Sequence, residues 1–183
     1  MRIVGGEFRG RPLAKPRSSA IRPTTDRTRE AVFNVLAHRF PDRLVGARVL
    51  DLFAGTGALG LEAISRSAAF ALFVDDGAEA RALMRQNIEA LGVAAITRIF
   101  RRDATKLGPA YPVEPFSLAF LDPPYAKGLA EKALASAREG GWLTDDTLIV
   151  VEEAVGALKT PEGFEESERR QYDDTEFTFL RLH

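Results

Sequence analysis

The sequence contains no cysteine and only two histidines, His38 and His183. Without cysteine the chain forms no disulfide and offers no thiolate to a metal, and two histidines so far apart do not make a zinc site, so we expect no bound metal. No apolar run approaches the roughly 20 residues that cross a bilayer. The first residues, Met-Arg-Ile-Val-Gly-Gly-Glu, lack the apolar segment of a signal peptide. We therefore expect a cytoplasmic protein without a membrane partner.

Charge is unevenly distributed along the chain. Residues 1–43 contain ten Lys or Arg and four Asp or Glu, whereas residues 44–183 contain fifteen and twenty-two. The length is that of one ordinary domain, so we expect a single domain with a basic arm and helix over residues 1–43 and an acidic core over residues 44–183. A basic arm indicates a polyanionic partner. The alternatives are a solvated tail, or arginines that pair with the acidic core.

Segments with the pattern of strands and of helices alternate along most of the chain. Pro23-Thr24-Thr25-Asp26 is a helix-start signal, and apolar residues follow it at helical spacing up to Phe40. Later apolar runs predict strands at 48–52, 70–75, 97–101, 117–121 and 147–151, with helices at 57–67, 78–91 and 128–138. Two further strands, 166–172 and 176–182, form a hairpin. This repetition predicts a doubly wound, Rossmann-like α/β sheet, mostly parallel, with an antiparallel C-terminal edge.

Four aspartates fall at or just past the ends of four successive predicted strands: Asp51, Asp75, Asp103 and Asp122. Any one of them alone is more often a helix cap or a turn residue. Because ligands of such sheets bind outside the carboxyl ends of the strands, we expect the four to converge on one rim. After the first of them, Gly55-x-Gly57-x-x-Gly60 allows a sharp turn and brings backbone close to a ligand. The glycine pattern alone is a weak signal, since a tight strand–helix turn also shows it.

The acidic rim favours one nucleotide cofactor over another. Asp51 and Asp122 would repel the pyrophosphate of a dinucleotide, whereas S-adenosylmethionine brings a sulfonium and an ammonium against one carboxylate. We therefore expect S-adenosylmethionine, with Asp75 accepting from the ribose hydroxyls, Asp51 near the amino end and Asp103 near the adenine amino group. The predicted cofactor residues are Asp51, Phe53, Gly55, Gly57, Asp75 and Asp103.

Asp122-Pro123-Pro124-Tyr125 supplies what the methylation of an exocyclic amino group requires. Such a nitrogen is a poor nucleophile, because its lone pair is delocalised into the ring. The Asp122 carboxylate and the Pro123 carbonyl accept its N–H bonds, the two prolines stiffen the loop, and Tyr125 stacks on an extruded base. We therefore predict these four residues as catalytic. The alternative, a stiff loop with a half-buried tyrosine, is disfavoured by the strand–helix units that precede it.

The two motifs and the opening arm together resemble the RsmD family of bacterial 16S rRNA (guanine-N2)-methyltransferases. The arm carries Arg2-Ile-Val-Gly-Gly, then Gly10-Arg11, then Arg22-Pro23-Thr24-Thr25-Asp26-Arg27-Thr28-Arg29-Glu30, in an order similar to that of the family. The resemblance covers nearly the whole chain and weakens after about residue Thr160. One departure is Asp75-Asp76-Gly77, where relatives more often show Glu, a basic residue and Asp. Either Asp75 or Asp76 therefore binds the ribose.

The resemblance implies a class I S-adenosylmethionine-dependent methyltransferase fold, with a seven-stranded sheet and a short N-terminal extension. It implies methylation of the N2 amino group of one guanine in 16S rRNA, within the assembled or assembling 30S subunit, and we expect a monomer. The predicted RNA contacts are Arg11, Arg22, Arg27 and Arg29. Three alternatives stay open: an adenine-N6 methyltransferase acting on DNA or another RNA, a non-catalytic RNA-binding assembly factor, and a nicotinamide oxidoreductase.

Overall fold

Helices and strands follow each other in the predicted order in the computed structural model, which describes residues 1–19, 21 and 23–183. The helices are α1 (Asp26–Arg39), α2 (Ala58–Ser65), α3 (Ala78–Leu91) and α4 (Leu129–Glu139). The strands are β1 (Arg48–Leu52), β2 (Phe70–Val74), β3 (Thr97–Phe100), β4 (Phe116–Leu121), β5 (Leu143–Ala154), β6 (Phe164–Tyr172) and β7 (Thr175–Leu182). The predicted bounds of β1 and α3 are confirmed, and the others differ mostly by one to three residues.

The helix-start signal is confirmed at the beginning of α1. Thr25 is the N-cap, with extended backbone and a side chain that accepts a hydrogen bond from the Thr28 N–H at 3.2 Å. The helix buries Val32, Phe33 and Leu36. This apolar face positions α1, and with it the end of the arm, against the sheet.

Seven strands form one sheet in the order β3-β2-β1-β4-β5-β7-β6. Strands β1 to β5 are parallel to their neighbours among themselves, and β7 is antiparallel to both β5 and β6. The predicted hairpin forms the edge of the sheet next to β5, with β7 paired to β5 and β6 outermost. Strand β5 is longer than predicted, because its residues 148–154 all pair with β7. The order confirms the predicted fold class.

Apolar layers cover both faces of the sheet, as the continuous apolar strands require. On one face, helices α1, α2 and α3 enclose a cluster that includes Phe33, Phe73 and Phe120. On the other face, α4 packs with Trp142 over a second cluster. Trp142 is fully buried, and its indole N–H donates to the Gly108 carbonyl at 2.8 Å. The polar rim at the carboxyl ends of the strands is thereby held by two packed layers.

The described part of the basic arm is attached to the core. The N–H groups of Val4 and Gly5 donate to the Glu62 carboxylate at 3.0 and 2.9 Å, and the Ala14 N–H donates to the Asn87 side chain at 2.7 Å. A solvated tail is therefore the wrong description of these residues. Within the described ranges, no helix has both the length and the apolar character of a membrane span.

Candidate active site

A cavity of about 640 Å³ lies at the carboxyl ends of β1, β2, β4 and β5. This is where ligands bind in open α/β sheets, and the volume is in the range of small-molecule sites. Most residues predicted for cofactor and catalysis line it together: Asp51, Phe53, Gly55, Asp75, Asp122, Pro123, Pro124 and Tyr125. The two sequence motifs therefore share one space.

The glycine loop is held by the carboxylate at the end of β2. Gly55 lines the cavity with a φ of 60°, a backbone conformation that favours glycine, and its N–H donates to Asp75 at 3.0 Å. The other Asp75 oxygen accepts from the Gly77 N–H at 2.9 Å. Asp75 thus fixes the loops that follow β1 and β2 relative to each other. Asp76, beside it, is more exposed and also lines the cavity.

Gly57 and Gly60 serve the turn and the packing of α2. Gly57 is the N-cap of α2, with a φ of 80°, and lies outside the cavity lining. The expectation that Gly57 touches a cofactor stays a prediction, which the cavity lining does not support. A Cβ on Gly60 would stand 2.4 Å from the ring of Phe73, so only glycine allows α2 to approach β2 so closely.

Asp51 is buried at the end of β1, with 1% of its surface exposed. Its carboxylate accepts from the Gly60 N–H at 3.0 Å, in the first turn of α2, where the N-cap glycine provides no side chain of its own. Burial, and then the nearby charge of Asp75, raise the pKa of Asp51, although the bond from Gly60 opposes this. Asp51 therefore joins the helix N-terminus to the floor of the cavity.

Asp122 lies beside a second acid that was not predicted, Glu152 of β5. The hydroxyl of Thr24 donates to Glu152 at 2.7 Å and stands 3.5 Å from an Asp122 oxygen. The Tyr125 hydroxyl donates to the other Glu152 oxygen at 2.9 Å. Burial raises the pKa of Asp122, and the charge of Glu152 raises it further.

The loop that carries Tyr125 is fastened to the end of β5 and to β7. The Tyr125 hydroxyl lies 2.9 Å from the Thr175 hydroxyl, and the Ala126 N–H donates to Glu153 at 2.8 Å. Burial raises the pKa of Tyr125, so the phenol stays protonated and remains a hydrogen-bond donor. The aromatic ring is thereby held at the cavity by its hydroxyl end.

Asp103, which was predicted to contact the cofactor, lies away from the cavity. Asp103 is exposed and outside the cavity lining, and its carboxylate accepts from both the N–H and the hydroxyl of Thr105. Three aspartates converge rather than four, because Asp103 lies three positions past Phe100, the last residue of β3, at the edge of the sheet. We therefore do not assign Asp103 to a cofactor.

Arg29 is wrong as a predicted RNA contact, because its side chain is fully buried and pairs with Glu62 and Asp26. This is the alternative in which arginines pair with the acidic core. Arg11 and Arg27 are exposed, and Arg22 lies outside the described residues.

Sequence reasoning missed Glu152, although a signal for it was present. Glu152 directly follows the predicted strand 147–151, so the rule that located the aspartates at the ends of the other strands locates Glu152 as well. The contribution of Thr24 had no such signal. It belongs to the segment before α1, and only the packing of that segment brings its hydroxyl over the rim.

A seven-stranded sheet in this order, with a glycine loop and Asp122–Tyr125 at one rim, defines a class I methyltransferase. The chain belongs to the family described as Conserved hypothetical protein 95, whose sequence model matches residues 1–181.

Named relatives agree with that assignment and confirm the resemblance to the RsmD family. Ribosomal RNA small subunit methyltransferase D of Escherichia coli K12 is 43% identical over 157 residues, which cover 85% of this chain and 75% of that protein. The Haemophilus influenzae protein of the same name is 35% identical over 169 residues, covering 90% and 84%. The solved structure of yhhF from Escherichia coli matches with a TM-score of 0.83 and 34% identity, covering 100% of this chain and 97% of that one. The prediction of a methyltransferase enzyme is thereby confirmed.

Proposed function

We propose that this protein transfers a methyl group from S-adenosylmethionine to the N2 amino group of a guanine in small-subunit rRNA. The observation that carries the proposal is that Asp122–Tyr125 and the glycine loop open onto one cavity. The relatives named as small-subunit rRNA methyltransferases support the choice of substrate.

The charge of the cavity fits a cationic donor. Six acids are among the described lining residues, and none of those residues is Lys, Arg or His: Asp51, Asp75, Asp76, Glu79, Asp122 and Glu152. Such a cavity attracts a sulfonium and an ammonium and repels a pyrophosphate, which disfavours a nicotinamide dinucleotide. Asp75 or Asp76 holds the ribose hydroxyls, Gly55 brings backbone close to the ligand, and Asp51 and Phe53 complete the cofactor set.

The acceptor side is formed by residues of the loop after β4. Bound in this cavity, S-adenosylmethionine supplies an electrophilic methyl group. The Asp122 carboxylate and the Pro123 carbonyl accept the N–H bonds of the amino group, which favours a pyramidal and more nucleophilic nitrogen. Pro124 stiffens the loop, and the Tyr125 ring stacks on the extruded base. Orienting the two reactants can remove about 7–11 kcal/mol of the barrier.

The exposed arginines of the basic arm supply phosphate contacts. Arg11 and Arg27 are exposed, and Arg22 follows Ile21, which lines the cavity. Arginine contacts to phosphate position a nucleic acid without reading its sequence. We propose that they place rRNA across the cavity mouth, with the protein acting in the cytoplasm as a monomer on the assembled or assembling 30S subunit.

Methyl transfer from tritiated S-adenosylmethionine tests the proposal. The acceptors are hypomethylated 16S rRNA and hypomethylated small subunits, and Asp122→Ala is the matched inactive control. We expect label in rRNA, recovered as N2-methylguanosine after digestion to nucleosides. Label recovered as N6-methyladenosine would replace the proposal with an adenine methyltransferase. Folded protein that binds the cofactor and labels neither acceptor would favour a non-catalytic RNA-binding factor.

A further inference from the structure

Glu152 lies at the centre of the acceptor side of the cavity. It is 5% exposed, at the end of β5, and both of its carboxylate oxygens accept hydrogen bonds from hydroxyl groups. Thr24 comes from the arm and Tyr125 from the loop after β4, so Glu152 joins two segments that are far apart in sequence. The same Thr24 hydroxyl is 3.5 Å from Asp122. Thr24 therefore bridges the two acids.

The groups around Asp122 and Glu152 are acids and hydroxyls. Asp51 faces them from β1, the Tyr125 phenol from the loop after β4, Thr24 from the arm, and the Thr175 hydroxyl meets the Tyr125 phenol from β7. Among the described lining residues there is no basic side chain. Burial and the negative charge of Glu152 both oppose the ionised form of Asp122.

We propose that Asp122 carries a proton until the methyl donor binds, and that Glu152, which contacts the same Thr24 hydroxyl, is a positioning residue that makes Asp122 respond to the charge of the donor. This inference rests on the proposed function. S-adenosylmethionine would bring a net positive charge into this acidic cavity, and the Asp122 proton would then leave to solvent. Asp122 then accepts the N–H of the substrate amino group.

The proton on Asp122 has a consequence for the order of binding. A protonated Asp122 presents an O–H donor toward an amino group, whose lone pair is delocalised and accepts poorly. An ionised Asp122 presents only acceptors, which match the two N–H donors of the amino group. The acceptor pocket therefore becomes complementary to guanine once the cationic donor is in place. Both hydroxyl contacts to Glu152 persist in either state, because they need only its lone pairs.

Calorimetric titration in two buffers with different ionisation heats measures the protons released on binding. The full-length protein is titrated at pH 7 with S-adenosylmethionine and with S-adenosylhomocysteine, which lacks the methyl group and its positive charge. We expect the cationic ligand to release up to about one proton more than the neutral one. Glu152→Gln should reduce that difference, because loss of the Glu152 charge lowers the pKa of Asp122, whereas burial and Asp51 still raise it.

Glu176→Gln is the matched control. Glu176 is another buried acid, on β7, and its partners are Arg169 and the Gly156 N–H, so this variant should keep the difference between the ligands. Equal proton release by both ligands in the wild type, or an unchanged difference in Glu152→Gln, would overturn the inference. If Glu152→Gln does not fold, Asp122→Asn replaces it with the same expectation. A folded wild type that binds neither ligand would refute the proposed function instead.

Discussion

The guanidinium of Arg29 lies 3.3 Å from the carboxylate of Glu62, and neither side chain is exposed to solvent. Glu62 belongs to α2, the helix that follows the glycine loop, and it also accepts the N–H groups of Val4 and Gly5. Arg29 reaches the carbonyl of Thr24 at 3.2 Å. One buried ion pair therefore fixes the arm, the segment before α1 and the helix after the glycine loop relative to each other.

Removing one partner of this pair should destabilise the protein strongly. Arg29→Ala removes one of the two cations that contact the buried Glu62, while Arg66 stays 2.9 Å from it. The free energy of unfolding should therefore fall by up to about 3 kcal/mol, the lower end of the cost of breaking a buried ion pair. Arg27→Ala, two residues earlier and exposed, should change it by less than about 0.5 kcal/mol. Urea unfolding measures both. Equal stability of the two variants would show that the pair does not fasten the arm.

Arg22 and Arg27 of the arm should set the salt dependence of RNA binding. Replacing Arg22 and Arg27 with alanine should weaken binding, and should reduce the slope of log K against log salt by roughly 0.7 for each phosphate that the variant no longer neutralises. Arg39→Ala removes a cation from the other end of α1, where it pairs with Glu168, and is the matched control. Filter binding at several salt concentrations gives the slopes. A slope unchanged in the double variant would mean that these arginines do not meet phosphates.

Asp122→Asn should separate catalysis from cofactor affinity. The asparagine keeps the shape but loses the charge that accepts the amino N–H, so turnover should fall by about 100-fold or more. Cofactor affinity should fall by a smaller factor, because the neutral asparagine loses only the attraction that an ionised Asp122 adds toward the cation. Single-turnover methylation and calorimetry measure the two quantities. A large loss of cofactor affinity with unchanged turnover would show that Asp122 binds the cofactor and not the substrate amino group.

The raised pKa of Asp122 predicts that the site lowers stability as pH rises. In the unfolded chain this carboxyl loses its proton near its ordinary pKa, whereas burial and the charge of Glu152 raise its pKa in the fold. Between those two pKa values the folded state binds more protons, so this contribution to stability is lost with increasing pH. Asp122→Asn should therefore be more stable than the wild type at pH 7, and closer to it near pH 4. Thermal unfolding across this range measures the effect, and parallel curves would contradict it.

The contact of Gly60 with Phe73 predicts a steric cost for a single methyl group. Gly60→Ala places a Cβ 2.4 Å from the ring of Phe73, and overpacking of this kind costs about 1–3 kcal/mol despite the better helix propensity of alanine. Adding Phe73→Leu should recover part of that loss, because the clashing ring is removed. Urea unfolding of the single and double variants tests the coupling. A Gly60→Ala protein as stable as the wild type would show that α2 shifts freely over β2.

The linear pattern of residues was sufficient for the alternating elements and for most of the rim. Apolar runs end at Asp51, Asp75 and Asp122, and parallel strands bring their carboxyl ends together whatever the details of packing. The same reasoning failed for Asp103, because the chain continues past the end of β3 before reaching it. It also failed for Arg29, since charge in a sequence does not show whether a side chain meets solvent or a buried partner.

The sequence by itself determined the class of fold, the two motifs and the cationic character of the donor, because these depend on periodicity, glycine geometry and the excess of acids. Only the tertiary structure decided which groups surround Asp122. The strand pattern locates Glu152 on the same rim but not its contact with Asp122, and Thr24 reaches Asp122 from the arm, which no local pattern indicates. Contacts between distant segments depend on how the layers pack, and packing is a property of the whole chain.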